Sequence, residues 1–159
     1  MKDFFIKTAL LLSQKSKCVS KKVGSVIVHD NRIISMGYNG TPSGFINCCD
    51  HFDTTYLPVL RNVHHEWSDK FEIHSELNAI IFCAKHGINI QNAEIYVTLF
   101  PCDQCIKNLI QSGIKKIYYL YEYDKGDITN PLCSYIEIEC LLNDEIKNFI
   151  QINNLTHLV

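Results

Sequence analysis

No stretch of this chain approaches the ~20 consecutive apolar residues that a membrane-spanning helix requires, so no membrane partner is expected. Basic residues never run longer than two, and the formal net charge is −2. A protein that grips tRNA or duplex DNA usually carries a basic footprint. None is visible here, so no nucleic-acid partner is expected, whereas a small anionic substrate needs only one or two well-placed cations. Internal repeats and low-complexity segments are missing as well. At 159 residues the chain is expected to form a single domain over 1–159. Its 47% apolar and 20% charged composition is ordinary for a globular protein. A chain of this size buries roughly two thirds of its unfolded surface, enough for a core without disulfide staples.

What the sequence does have in quantity is cysteine, eight in all. A small secreted scaffold would spend them on disulfides. Against that, the apolar stretch after Met1-Lys2-Asp3 is not followed by a small-residue cleavage site, and the cysteines fall in metal-like spacings beside histidines. The expectation is a reducing cytoplasm with thiolates on zinc.

Hydrophobic periodicity predicts an amphipathic helix over 4–16, with Phe4, Phe5, Ala9 and Leu12 on its buried stripe and Asp3 as its N-cap. Strands at 23–28 and 32–38 flank the turn pair Asp30-Asn31 and read as a hairpin. Residues 45–73 show no steady period but are dense in Cys, His, Asp and Glu. A long irregular segment inside a compact domain is usually functional or pinned by something. Beyond it come a helix over 76–85 stopped by Gly87, a strand over 93–99, a helix over 102–112 stopped by Gly113, and a strand over 115–123. That strand–helix–strand run argues a parallel pair. A fifth strand over 135–141 and a terminal helix from about 143 to 152 complete the reading: a three-layer α/β arrangement, helices on both faces of a five-stranded mixed sheet.

The chemistry concentrates in one stretch. His74-Ser75-Glu76 is followed, after 25 residues (77–101) that end in Pro101, by Cys102-Asp103-Gln104-Cys105. A neutral imidazole and two thiolates make three ligands for one zinc, and three protein ligands leave the fourth position open, as catalytic rather than structural sites do. All three fall at predicted helix starts, where free N–H groups and the helix dipole favour thiolate. Zinc with an open position ionises water near pH 7. Glu76, two residues past the imidazole, can take that proton, pass it to N3 of a cytosine and then to the leaving amine. The competing possibility is a closed zinc knot, which would need a fourth protein ligand and would leave Glu76 an ordinary helix-surface residue.

The pair of motifs, H-x-E and P-C-x-x-C, is shared with the zinc-dependent nucleobase deaminases. With Val23-Gly24, Gly37-Tyr38-Asn39-Gly40, Asn47-Cys48-Cys49-Asp50, Glu72-Ile73-His74, Tyr96-Val97-Thr98-Leu99 and Tyr123-Asp124-Lys125, the chain resembles the deoxycytidylate (dCMP) deaminases of T-even-type bacteriophages over residues 4 to about 125. The resemblance implies hydrolysis of dCMP to dUMP, homohexamers, activation by dCTP and inhibition by dTTP, with Mg2+ accompanying the triphosphate. It places the protein in the host cytoplasm if viral. It also implies a second, structural zinc, whose ligands by position would be Cys18, Cys48, His64 and Glu72, stabilising an insert at about 45–73. Cys49, His51 or His65 are alternative ligands, and no second metal is another alternative. The same resemblance puts Asn39 on the sugar or phosphate, the backbone around Ser75 on the pyrimidine edge, and Tyr123 on phosphate or ring. Gly40, Thr41 and Gly44 would cradle the effector, where a plain turn is the competing reading. Lys21 or Lys22 would stand in for an arginine that many relatives carry where this chain has Ser20. Two departures are visible: the link from Cys48 to His64 is short, and Thr129-Asn130-Pro131 stands where a longer helix is expected.

Other functions share parts of this pattern. A tRNA adenosine deaminase has the same zinc motif but would want a basic flank. A nucleoside deaminase would be indifferent to a 5′-phosphate. A non-catalytic zinc scaffold or nucleotide sensor would have no use for Glu76.

Overall fold

In the computed structural model the hairpin strands β1 (Gly24–His29) and β2 (Arg32–Tyr38) pair antiparallel, and β1 pairs antiparallel with β3 (Glu94–Leu99) on its other side. The sheet continues in parallel through β4 (Lys116–Tyr121) and β5 (Glu137–Cys140), giving the order β2-β1-β3-β4-β5. The helices are α1 (Lys2–Ser13), α2 (Cys48–His51), α3 (Arg61–Phe71), α4 (Ser75–His86), α5 (Asp103–Gln111) and α6 (Asp144–Ile152). Residues 1–52 and 60–156 are described. The stretch 53–59 of the expected insert, and with it part of the short Cys48–His64 link, lies outside them, as does His157.

The strands send alternate side chains to opposite faces, and the core divides accordingly. Val26, Val28, Tyr96, Tyr118 and Leu120 pack under α1 and α6 with Phe5, Ile6, Leu10, Ile146 and Ile150. Ile27, Ile95, Val97, Ile117 and Tyr119 pack under α4 and α5 with Ala79, Cys83, Ile106 and Leu109. β3 and β4 are covered on both faces, which is why they read as nearly unbroken apolar runs. The fold is therefore the expected three-layer α/β arrangement on a five-stranded mixed sheet. Asp30 and Asn31 both adopt positive φ (49° and 58°), as a two-residue hairpin turn demands. Gly87, at φ 66°, follows α4 in the left-handed region.

Two local expectations change. α1 starts at Lys2, so Asp3 lies in its first turn rather than at the cap, and the buried stripe is Phe5, Ile6, Ala9, Leu10 and Ser13. Phe4 is 59% exposed. The rotation follows from Gly24, where an added Cβ would sit 2.2 Å from the Ala9 carbonyl oxygen; the strand approaches so closely that the small residues of the helix must face it. Second, residues 45–73 are not irregular throughout, because 61–71 form α3. Only His64 on that helix is buried. Its contacts are aromatic, with Trp67 stacked on His51 (centroids 4.7 Å apart) and edge-on to Phe52, so no aliphatic stripe marks it. The departure visible at Thr129-Asn130-Pro131 holds: β4 and β5 are joined through a short 3₁₀ helix, Pro131–Tyr135, with Asn130 capping it through the Leu132 N–H. The proline and the cap keep the turn tight. Among the described residues no helix is long and apolar enough to cross a membrane.

Candidate active site

α4 and α5 begin side by side at the carboxyl end of β3. His74 occupies the N-cap position of α4 and Cys102 that of α5, both in extended conformation. This backbone geometry turns each side chain back over the first turn of its helix. His74 Nδ1 consequently lies 3.4 Å from Cys102 Sγ and 3.5 Å from Cys105 Sγ. The three donor atoms fall within 4.8 Å of one another, a spacing that one metal ion can bridge. Cys105 lends its thiol hydrogen and its backbone N–H to Cys102, and His74 adds its own bond, so the Cys102 thiol is held down to about 4. In turn the bond to Cys102 raises His74 to about 9. One nitrogen and two sulfurs converge as donors for a single metal ion.

Glu76 is 4% exposed and lines the same cleft. Burial pushes its carboxyl above the ordinary range, opposed by the positive charge on His74 and by hydrogen bonds. One of these comes from the Ser75 hydroxyl, which donates to Oε2 at 2.9 Å. A carboxyl raised by burial takes up a proton more readily than an exposed one, and the hydrogen bonds keep its ionised form accessible. Ser75 itself is fully buried.

A second donor cluster forms next to the first. Cys18, Cys48, His64 and Glu72 bring one ligand atom each within 4.8 Å. His64 Nε2 is 3.3 Å from Cys18 Sγ and 3.4 Å from Cys48 Sγ. Burial lowers the His64 pKa, favouring the neutral ring that ligates metals. Among the described residues, Glu72 Oε1 and His64 Nδ1 are buried with no hydrogen-bond partner. A buried carboxylate oxygen with no partner is costly, and a cation beside it would remove that cost. Two thiols, an imidazole and a carboxylate are a complete tetrahedral donor set for zinc, so the residues present fit the metal at both positions. Of the alternative ligands, Cys49 is exposed, His51 stacks on Trp67, and neither they nor His65 join either cluster.

The cleft that joins the two clusters measures about 1350 Å³. Asn39 and Tyr123 line it. The Asn39 amide is already engaged with backbone, accepting from Val23 N–H at 2.8 Å and donating to the Lys21 carbonyl at 2.9 Å. Burial keeps the Tyr123 phenol protonated, its pKa pushed up to about 12. Lys21 and Lys22 are on the rim. Three cations that sequence reasoning gave no role, Lys17, Arg61 and Lys125, line it as well. Arg61 pairs with Asp124, and Lys125 with Asp69 at 2.8 Å, tying α3 to the segment after β4. Lys125 was visible within the Tyr-Asp-Lys motif; nothing in the sequence marks Arg61. Gly40, Thr41 and Gly44 do not line this cleft. Gly40 forms a two-hydrogen-bond bridge with Ile73, and Thr41 and Gly44 continue into a surface turn closed by Phe45 N–H to Pro42 carbonyl at 3.0 Å.

Residues 1–121 match the family model described as the cytidine and deoxycytidylate deaminase zinc-binding region. The chain is 46% identical over 150 residues to the deoxycytidylate deaminase of Enterobacteria phage T4, covering 76% of this chain and 78% of that one. To the deoxycytidylate deaminase of Homo sapiens it is 36% identical over 132 residues, covering 80% of this chain and 69% of the other. It superimposes on the crystal structure of the cyanophage S-TIM5 dCMP deaminase in complex with dCMP and dUMP with a TM-score of 0.73 at 36% identity, covering 88% and 96% of the two chains.

Proposed function

Because the chain belongs to the cytidine and deoxycytidylate deaminase family, we propose that it hydrolyses dCMP to dUMP and ammonia. The observation that carries this reading is the convergence of His74, Cys102 and Cys105 on one point beside the buried carboxyl of Glu76. His74, Cys102 and Cys105 would hold a zinc ion. When bound, the metal supplies the Lewis acidity that makes water reactive near neutral pH.

The rest falls to the side chains. Glu76 accepts a proton from water and delivers it to N3 of the pyrimidine, which makes C4 electrophilic. Once oxygen has added at C4, the same carboxylate takes the remaining proton from the new C4 hydroxyl and delivers it to the amine; the C–N bond breaks, ammonia leaves and C4 becomes a carbonyl. One group serves as base and then acid, and its raised pKa suits both tasks. The α4 start around Ser75 meets the pyrimidine edge, Asn39 and Tyr123 border the sugar and phosphate, and Lys21 or Lys22 answers the phosphate charge.

Cys18, Cys48, His64 and Glu72 hold a second, structural zinc, tying the end of α1 to the 45–73 insert of a single domain. Gly40, Thr41 and Gly44 cradle a triphosphate with its Mg2+, dCTP activating and dTTP inhibiting, within a homohexamer in the cytoplasm. The likeness to the phage enzyme supports these assignments.

The test is ammonia release from purified protein given dCMP, dCTP, deoxycytidine or tRNA. Turnover of dCMP well above the others is expected; equal turnover of deoxycytidine would overturn the mononucleotide reading. Adding dCTP and dTTP to the dCMP assay tests the regulation, and a rate that ignores both would remove it.

A further inference from the structure

The Glu76 carboxyl has two oxygens that rotation about its last side-chain bond would exchange. Proton transfer through one of them is reproducible only if the group is held. Among the described contacts, Ser75 Oγ is the side-chain hydroxyl that holds it, 2.9 Å from Oε2, with Ser75 fully buried and Glu76 nearly so. The two residues open α4, where neighbours do not face each other by helical spacing, so the contact is set by the packing that buries both side chains. The Ser75 main chain is fixed independently. β2 passes so close at Gly37 that a Cβ there would lie 2.0 Å from the Ser75 carbonyl oxygen.

Resting on the deaminase reading above, we propose that Ser75 is a positioning residue: its hydroxyl pins Oε2 of Glu76, fixing the carboxyl plane so that Oε1 carries the proton. A hydroxyl suits this task because it both donates and accepts. It donates to the ionised carboxylate and can accept from the protonated acid, so the buried group keeps a partner through the whole proton cycle. An alanine would remove the hydroxyl that donates to Oε2, and a buried group that loses a hydrogen-bond partner is costly.

The experiment uses the zinc-loaded full chain and compares wild type with Ser75→Ala, Ser75→Cys and Ser75→Thr. For Ser75→Ala, kcat on dCMP should fall roughly 10- to 100-fold, the loss expected of one hydrogen bond to a charged group. KM for dCMP, dUMP affinity by calorimetry and zinc per chain should stay within about twofold of wild type. Ser75→Cys, close in size but a weak donor, should follow alanine, while Ser75→Thr should recover kcat to within a few-fold. Wild-type kcat in both Ser75→Ala and Ser75→Cys would overturn the proposal. So would a parallel loss of kcat, dUMP affinity and zinc, since that marks a structural role. A wild type that releases no ammonia from dCMP would overturn the deaminase reading itself, and that result is seen before any variant is compared.

Discussion

Glu72 and His74 are two residues apart on an extended segment, so their side chains look into the same cleft, yet each belongs to a different donor cluster. Ile73 between them is held by two backbone hydrogen bonds to Gly40. The segment is thus fixed at its centre and offers one ligand to each side. The wild-type chain should bind two zinc ions. Cys18→Ser should bind one, melt at a lower temperature and lose part of its dCMP turnover through the displaced His74. Zinc analysis by mass spectrometry, read beside thermal unfolding, checks this; one zinc per chain in both proteins would refute the second site.

Glu76→Ala removes the proton carrier and leaves the donor trio intact. Turnover should fall by at least about 10²–10⁴-fold, the usual worth of a positioned general acid–base, with the zinc content of the His74, Cys102 and Cys105 site unchanged. Ammonia release and metal content measured on one preparation decide it. Near-normal turnover would remove Glu76 from the mechanism.

Gly37 is where β2 touches the catalytic helix. A methyl group there would lie 2.0 Å from the Ser75 carbonyl oxygen and 2.8 Å from the Ala79 nitrogen, both backbone atoms that cannot swing aside. Gly37→Ala should destabilise the protein by about 1–3 kcal/mol, as overpacking generally does. It should also lower kcat, because relief requires moving the start of α4. Urea unfolding and steady-state kinetics provide the two readings; an alanine variant as stable and active as wild type would mean that the layers can part freely.

Lys2 Nζ donates to both oxygens of Glu139, at 2.7 and 3.0 Å, and Lys116 Nζ lies 2.9 Å away on the other side. The hydrogen bond from Lys2, followed by that from Lys116, holds the Glu139 carboxyl below its ordinary value. A carboxyl lowered in the folded state contributes stability above its unfolded pKa of ~4.3, and the contribution is lost as pH falls through the folded value. Glu139→Gln should therefore unfold at lower urea than wild type at pH 7, and the two midpoints should converge in acid. Lys2 is exposed and Glu139 and Lys116 are only partly covered, so solvent screens them; the gap should be small and should narrow with added salt. A gap that persists unchanged in acid would assign it to packing instead.

Much of this molecule is local in origin and could be read residue by residue. The apolar runs of β3 and β4, the turn pair Asp30-Asn31, the stop at Gly87 and the spacing of Cys102 and Cys105 each depend on neighbours a few positions away, where period and turn chemistry act directly. What the chain's order left open were relationships between distant segments. The face that α1 buries was decided by the close approach of Gly24 to Ala9, which no helical period encodes. α3 was hidden because aromatic stacking and a buried histidine, rather than an aliphatic stripe, hold it down. Arg61 reached the cleft only because α3 lies across from Asp124. The four residues of the second cluster come from three separate stretches, and only their packing selects them over Cys49, His51 and His65. Composition and spacing determined which chemistry the chain can perform; tertiary packing determined which copies of each residue type are close enough to perform it, since ligation and proton transfer depend on distances of a few ångströms that sequence separation does not set.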